Sequence, residues 1–106
     1  MDKPWSPAEK VAAHRIFDLA SANAQKDLLK RHAEKRITTA DDLWKYELEL
    51  REWRREVQTT LQFTYSTLPV CFRLCLRKAW LVESNLTGLS EERIDYIKRV
   101  RALKQK

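Results

Sequence analysis

The chain has 106 residues, with only one glycine and three prolines, 34% charged residues and a net charge of +6. Glycine-rich phosphate loops are excluded because they need several glycines for close approach to an anion, and β-sandwiches or barrels are disfavoured because tight hairpins commonly need glycine. A hydrophobic content of 43%, with four tryptophans, favours one small folded domain over a disordered chain.

The first helix is predicted over residues 7–34. Ser6, followed by Pro7 and then Glu9, has the form of a capping box with proline in the first helical turn. Alanine, the best helix former, is frequent in the stretch that follows. The threonine-rich sequence at residues 37–40 is the first break, so one long helix is expected before it.

A second helix is predicted over residues 40–65, with Thr39 as its N-cap. Larger side chains repeat every seven residues in two interleaved series: Leu43, Leu50, Val57 and Thr64 in one, and Tyr46, Trp53 and Thr60 in the other. A heptad-like repeat of this kind predicts helix packing along a seam. Five residues of the seam are predicted to form a dimer interface, namely Leu43, Tyr46, Leu50, Trp53 and Val57.

Two shorter helices are predicted in the second half of the chain. Pro69 disfavours helical geometry at the residue before it, so the second helix should end or kink there. The third helix, over residues 69–83, is apolar nearly all round and should be the most buried element. Gly88 marks a turn, and a last helix is predicted over 91–104 with Ser90 as its cap. The sequence therefore predicts an all-α fold of about four helices.

Residues that could carry chemistry are few and scattered. Cys71 and Cys75 share one helical face, but His14 and His32 lie far away in sequence, so a metal site has weak support. Two small buried hydrophobic side chains are the favoured interpretation of the cysteines. No nucleophile or paired carboxylates accompany the histidines, which argues against an enzyme. The sequence therefore predicts no catalytic residue, no metal and no cofactor.

The apolar segments bear on the cellular compartment. Residues 1–4 lead into no apolar segment of the kind found in signal peptides. The longest apolar stretch, residues 68–82, contains Arg73, Arg77 and Lys78 and is therefore unsuited to span a membrane. A cytoplasmic protein with reduced cysteines is expected.

Trp44 stands apart from the seam. It lies about 100° round the helix from Leu43, on a side shared with Leu48 and turned towards Arg51 and Arg55. Tryptophan beside arginine is typical of hot spots in protein interfaces. The alternative is a tryptophan packed on the first helix, and the residues by themselves leave both open.

The positive net charge raises the question of nucleic acid. The bases of the last helix spread around it rather than forming one stripe: Arg93, Lys98, Arg99, Arg101 and Lys104. No zinc-finger, RNP or KH pattern is present. A solvated basic face is the favoured interpretation, and nucleic acid is an unlikely partner.

Several short motifs together resemble the cyanobacterial fluorescence recovery protein family. They are Pro4-Trp5-Ser6, Asp41-Asp42-Leu43-Trp44-Lys45, Arg54-x-Glu56-Val57, Leu86-Thr87-x-Leu89 and Ile97-Lys98. The resemblance covers essentially the whole chain and implies an all-helical homodimer with long dimerising helices and a small helical head at each end. It implies here a single domain, with a helical stalk over residues 1–66 and a helical head over 67–106.

The resemblance also implies a role. The family binds photoactivated orange carotenoid protein, chiefly its C-terminal domain, and speeds its return from the red to the orange form, which restores phycobilisome fluorescence. Such a protein acts by binding, without cofactor or covalent chemistry, and favours the relaxed state or the path to it.

Six positions correspond to residues that the family uses for partner binding: Trp44, Glu47, Leu48, Arg54, Val70 and Tyr96. Trp44 and Arg54 match a functional tryptophan and arginine. Glu47 and Leu48 stand where the family usually has a His-Asp pair, and the last two replace a phenylalanine and a lysine of the head.

The stretch over residues 61–66 differs most from the family pattern Tyr-Asp-Asp-Arg-Gln-Ser, of which only Ser66 is kept. Because complementary charge governs partner choice, these differences bear on the partner more than on the dimer. The sequence leaves two main hypotheses, recovery of a carotenoprotein or the same scaffold serving a different protein partner.

Overall fold

The computed structural model describes residues 4–100, and within them the chain folds into four α-helices and one short 3₁₀-helix. The helices are α1 (Pro7–Ala33), α2 (Ala40–Thr60), α3 (Leu68–Arg77) and α4 (Glu91–Arg99), and the 3₁₀-helix is Glu83–Leu86. No strand occurs in the described part of the chain, so the predicted all-α fold is confirmed. The last helix ends at Arg99, because Val100 has an extended backbone, so the predicted helix over 91–104 is too long at residue 100. Its residues 101–104 lie outside the described residues.

The predicted caps form as the sequence indicates. The Glu9 backbone N–H donates to Ser6 Oγ at 3.1 Å, and the Ser6 N–H donates back to Glu9 Oε1 at 3.2 Å. The Asp42 N–H donates to Thr39 Oγ1 at 3.0 Å at the start of α2. These side chains satisfy N–H groups that the helix itself leaves without a partner, which fixes where each helix begins.

The second helix ends at Thr60, five residues before its predicted end at 65, because the residues that follow pack on α1. The Phe63 ring stacks on His14, with centroids 4.3 Å apart, and meets Phe17 edge-on at 5.1 Å. Tyr65 lies 5.4 Å from the ring of Trp5. Residues 61–67, hereafter the linker, therefore run along α1 as irregular backbone, and Thr64 lies outside the helical seam.

The third helix also ends early, at Arg77 rather than at residue 83. Ala79 has a positive φ of 62°, and the N–H groups of Trp80 and Leu81 both bond to the Cys75 carbonyl. A left-handed residue of this kind commonly closes a helix. Trp80 is buried as predicted, but it follows the helix rather than belonging to it.

One hydrophobic core joins the N-terminal part of α1 to the second half of the chain. Ala13, Ile16, Ala20 and Ala24 of α1 are fully buried, and they share the core with the residues Leu68, Cys71, Phe72, Cys75, Trp80, Leu81, Leu86, Leu89 and Ile97. Small alanine side chains allow close approach of the elements packed on them. The core therefore contains residues from both sides of the boundary expected near residue 66, because α1 contributes to the core as much as α3 and α4 together.

A buried ion pair fastens α4 to the start of α1. Arg93 is 2% exposed and its Nε donates to Glu9 Oε2 at 2.9 Å. The Ser90 N–H donates to the same oxygen at 3.1 Å. The guanidinium lies over the Trp5 ring, 3.9 Å from its centroid, and donates to the Pro4 carbonyl. The expectation that Arg93 belongs to a solvated basic face is wrong, because its charge is matched inside the fold.

Gly88 is the position where the backbone requires glycine. Its φ is +105°, and an added Cβ would lie 2.8 Å from the Cβ of Ala12 on α1. We expect Gly88→Ala to destabilise the protein by about 2–4 kcal/mol, through backbone strain and overpacking. Chemical denaturation monitored by circular dichroism measures this.

Ala79→Gly serves as the matched control for Gly88→Ala, because a residue with positive φ gains from the removal of its Cβ. We expect Ala79→Gly to leave stability unchanged or raised by about 1 kcal/mol. A Gly88→Ala variant as stable as the parent protein would contradict the close contact between the turn and α1.

Candidate functional site

The C-terminal end of α1 and most of α2 form an antiparallel helical hairpin. The Tyr46 hydroxyl and His32 Nδ1 are hydrogen-bonded at 2.5 Å. The rings of Tyr46 and Trp53 meet edge-on with centroids 5.9 Å apart. Because Tyr46 and Trp53 are seven residues apart on α2, their rings lie on the same face of this helix, and that face packs against α1.

Charged side chains cover one flank of this hairpin. Arg31 of α1 lies over the Trp53 ring at 5.4 Å from its centroid and pairs with Glu56 at 3.9 Å. Lys35 pairs with Glu49 and lies over the Tyr46 ring at 5.7 Å. The aliphatic parts of these bases cover the aromatic rings while their charged ends stay hydrated, so this flank is closed.

The opposite flank is an open apolar groove with a volume of about 560 Å³. Its lining comes from both helices: Leu28, Leu29, His32, Tyr46, Leu50, Trp53, Arg54, Val57 and Gln58. Leu29 is 68% exposed and Leu50 is 45% exposed. Large exposed aliphatic side chains on both walls of one groove are typical of a surface that another element covers.

The structure divides the five predicted interface residues between two environments. Tyr46 is buried and Trp53 half-buried against α1 of the same chain, and Val57 is half-buried beside them. Leu43 is 49% exposed, and it lies with Leu50 on the open edge of α2. The seam predicted from the heptads is therefore shared by packing within the chain and by a free edge.

A second exposed surface lies on α2, where Trp44 is about a third of a turn and Leu48 nearly half a turn round the helix from Leu50 at the groove edge. Trp44 is 63% exposed and Leu48, one turn later, is 58% exposed. Beside them, Glu47 is exposed and forms an ion pair with Arg51 at 3.0 Å. The alternative of Trp44 packed on the first helix is not what the structure shows, since the indole lies at the surface.

The six predicted partner-binding residues fall on three elements. Trp44, Glu47, Leu48 and Arg54 are exposed side chains of α2, and Arg54 lines the groove. The other two are half-buried and lie elsewhere, Val70 on α3 and Tyr96 on α4. The structure thus brings four of the six to one helix and leaves two on the packed elements of the second half.

The α1 wall of the groove is the part that the sequence did not identify as a site. Leu28 and Leu29 are read from sequence only as apolar residues of a long helix, and His32 as a surface or interface histidine. Their spacing places them beside one another on one side of α1. What the sequence lacks is the register of α1 against α2, which decides that this side borders Leu50 and Arg54.

Neither metal ligation nor membrane insertion is supported in residues 4–100. No group of three or more histidine, cysteine, aspartate or glutamate side chains in this range could hold a metal ion. No helix within the same range is long and apolar enough to cross a membrane.

Comparison with known proteins gives one consistent answer. A family model described as photoprotection regulator fluorescence recovery protein matches residues 5–103. The fluorescence recovery protein of Synechocystis sp. (strain ATCC 27184 / PCC 6803 / Kazusa) is 29% identical over 104 residues, which are 96% of this chain and 95% of that protein.

Solved structures show the same fold. The fluorescence recovery protein of Fremyella diplosiphon superposes with a TM-score of 0.83 at 24% identity, over 90% of this chain and 95% of that one. The structure of the protein from Synechocystis sp. PCC 6803 has a TM-score of 0.80 at 30% identity, with the same coverage of both chains.

Proposed function

The chain belongs to the fluorescence recovery protein family of photoprotection regulators, and from this premise we propose that it binds photoactivated orange carotenoid protein and speeds its return to the orange form. The contact would involve chiefly the C-terminal domain of that partner, in the cytoplasm, and would restore phycobilisome fluorescence. The protein would act as a binding catalyst with no cofactor and no covalent step.

Such catalysis requires differential binding. A protein that binds the red and orange forms equally well shifts no equilibrium. It accelerates recovery only if it binds the transition state between them more tightly than the red form. The binding surface must therefore make contacts with the partner that become more favourable as the partner relaxes. Exposed side chains on a rigid helix can make such contacts without reorganisation of the helix.

We propose that the working form is a homodimer closed through the groove. Two copies related by a twofold axis present the same surface to each other, and each would cover Leu29, Leu50 and Leu43 of the other. The α1–α2 hairpin would then be the stalk, and the core built on α3, α4 and the start of α1 the head. The stalk and the head expected on either side of residue 66 would then be two surfaces with different tasks, although α1 contributes to both.

The partner-binding surface in this proposal is the outer side of α2. Trp44 offers a large apolar ring and Leu48 extends it by one turn, while Arg54 supplies a charge at the groove edge. Val70 and Tyr96 would contact the partner from the head. The observation that carries the proposal is the exposure of the Trp44 indole, 63%, in a chain that matches this family over residues 5–103.

The decisive experiment mixes the protein with photoactivated orange carotenoid protein and follows the red-to-orange decay by absorbance. We expect acceleration that saturates with added protein, and Trp44→Leu should weaken it by about 30-fold, as for a hot spot worth about 2 kcal/mol. Arg54→Leu should weaken it in the same direction.

Val11→Ser provides a matched control, because Val11 is 72% exposed on α1 and lies away from α2. It should leave the recovery rate unchanged. If adding the parent protein at saturating concentration leaves the red-to-orange decay rate unchanged, the carotenoprotein is rejected as the partner.

One observation favours a different protein partner on the same scaffold. Glu47 and Leu48 replace the His-Asp pair common in the family, and Glu47 is tied to Arg51 at 3.0 Å. A pull-down from an extract of the source cells distinguishes the two, since recovery of a carotenoprotein supports the first proposal and its absence together with a different bound protein supports the second.

A further inference from the structure

His32 is a titratable side chain in the wall of the groove. Its imidazole is exposed to solvent, and Nδ1 is hydrogen-bonded to the hydroxyl of the buried Tyr46 at 2.5 Å. The two rings are stacked with their centroids 5.8 Å apart, which holds the imidazole in the wall. Because histidine changes its charge between about pH 5 and pH 8, the groove carries a group that responds to pH.

The charged groups around His32 are cations. Among the residues that the structure describes, those lining the groove include no aspartate or glutamate, and the charged side chain of the opposite wall is Arg54 of α2. Lys35, three residues after His32, lies over the Tyr46 ring at 5.7 Å from its centroid. A protonated His32 would therefore add a positive charge to a groove that already carries one.

The carboxylates on neighbouring turns of the two helices have other partners or lie on another side: Asp27, Glu34, Asp42 and Glu49. Asp27 pairs with Arg31 at 3.0 Å. Glu49 pairs with Lys35. Asp42 accepts from the backbone N–H and the hydroxyl of Thr38, both at 3.2 Å. Glu34 follows the end of α1 and lies about 200° round its axis from His32. A protonated His32 would thus have no carboxylate of its own among these groups.

Closing the groove with a second copy would bury this imidazole. A twofold axis presents the same surface of both copies to each other, so two His32 and two Arg54 side chains would share one apolar interface. Neutral His32 fits there, because its ring stacks on Tyr46 and is hydrogen-bonded to it. A protonated imidazole would lose its hydration beside like charges, with no carboxylate to offset the loss. The open groove carries no such cost, because water reaches His32.

We propose that His32 is a pH-sensitive switch of dimerisation, whose protonation opens the groove interface and releases monomers. The inference rests on the dimer proposed above. Two copies close over the groove when both imidazoles are neutral, so dimerisation of protonated chains must release one proton from each. The dimer is therefore favoured above the pH range in which histidine titrates and is lost as the pH falls through that range.

Sedimentation velocity over a dilution series, at about pH 8 and about pH 5.5, tests the switch, and circular dichroism at both pH values checks that the chain stays folded. Because two protons are released for each dimer formed, we expect the dissociation constant of the parent protein to be on the order of 100-fold higher at the lower pH. His32→Gln keeps a hydrogen-bonding group beside Tyr46 but no titratable charge. Its dissociation constant should change by less than about threefold between the two pH values.

His14→Gln is the matched control, because His14 stacks on Phe63 of the linker, outside the groove. This variant should keep the pH dependence of the parent protein. A parent dimer with the same dissociation constant at both pH values would overturn the switch and leave the proposed dimer standing, as would a His32→Gln variant that dissociates at low pH like the parent. A parent protein that stays monomeric at about pH 8 throughout the dilution series would reject the dimer and the switch together.

Discussion

Arg93→Met is expected to destabilise the protein by about 3–5 kcal/mol, because it leaves the Glu9 carboxylate buried without its counter-charge. The loss extends beyond the ion pair, since the guanidinium also donates to the Pro4 carbonyl and lies over the Trp5 ring. For a domain of this size the midpoint of thermal unfolding should fall by about 15–25 °C. Circular dichroism on heating measures the change.

Lys98→Met is the matched control for this substitution. Lys98 lies on the same helix as Arg93 and pairs with Glu83 of the 3₁₀-helix at 3.5 Å, but its side chain is 42% exposed. Exposed pairs contribute about 0–1 kcal/mol. The double variant Glu9→Leu with Arg93→Met should recover part of the lost stability, because it removes both buried charges. Equal effects of Arg93→Met and Lys98→Met would contradict a dominant role for the buried pair.

The same ion pair predicts how stability depends on pH. Hydrogen bonding to Arg93 lowers the pKa of Glu9 from 4.5 to about 2, so the folded state holds the carboxylate ionised where the unfolded chain would protonate it. The contribution is complete above pH 4.5 and is lost as the pH falls towards about 2. Urea titrations between pH 6 and 2 should show this loss in the parent protein, whereas Glu9→Gln should lack it.

Leu50→Glu is expected to convert the proposed dimer into a monomer. A twofold axis would place both copies of the new carboxylate in the apolar groove, and burying unpaired charge costs several kcal/mol. A loss of about 3 kcal/mol weakens the dimer by more than about 100-fold. Sedimentation velocity over a dilution series measures the shift in the dissociation constant.

Leu48→Glu makes the same chemical change on the other side of the same helix. It should leave the dimer intact and weaken the recovery activity, because Leu48 lies with Trp44 on the proposed partner surface. The two variants therefore separate dimerisation from partner binding. A dimer that survives Leu50→Glu at micromolar concentration, or one that dissociates with Leu48→Glu, would place the interface elsewhere.

Local sequence signals located the starts of the helices correctly. Ser6 with Glu9, Thr39 and Ser90 each cap the helix that the sequence assigns to them, because a cap depends on residues within one turn of each other. Helix ends were less predictable. Phe63 and Ala79 end α2 and α3 early, and both do so through contacts or backbone geometry that local propensity does not encode.

The candidate site shows the same contrast. The heptad spacing identified Leu43, Leu50 and Val57 as one edge of α2, and the family resemblance identified Trp44 and Arg54. Neither signal identified Leu29 as the facing wall, since that depends on how α1 and α2 pack. The sequence also left open whether Trp44 is packed or exposed, and the structure places it at the surface.

The sequence by itself determined the helical class, the capped starts of the helices and the family, because these depend on composition, on residues a few positions apart and on motifs spread along the chain. Only the tertiary structure decided that Arg93 is buried against Glu9, 84 positions earlier. It also decided that the heptad seam is half occupied by α1 of the same chain. In both cases the partner is distant in sequence, and a side chain's burial depends on what the whole fold packs against it.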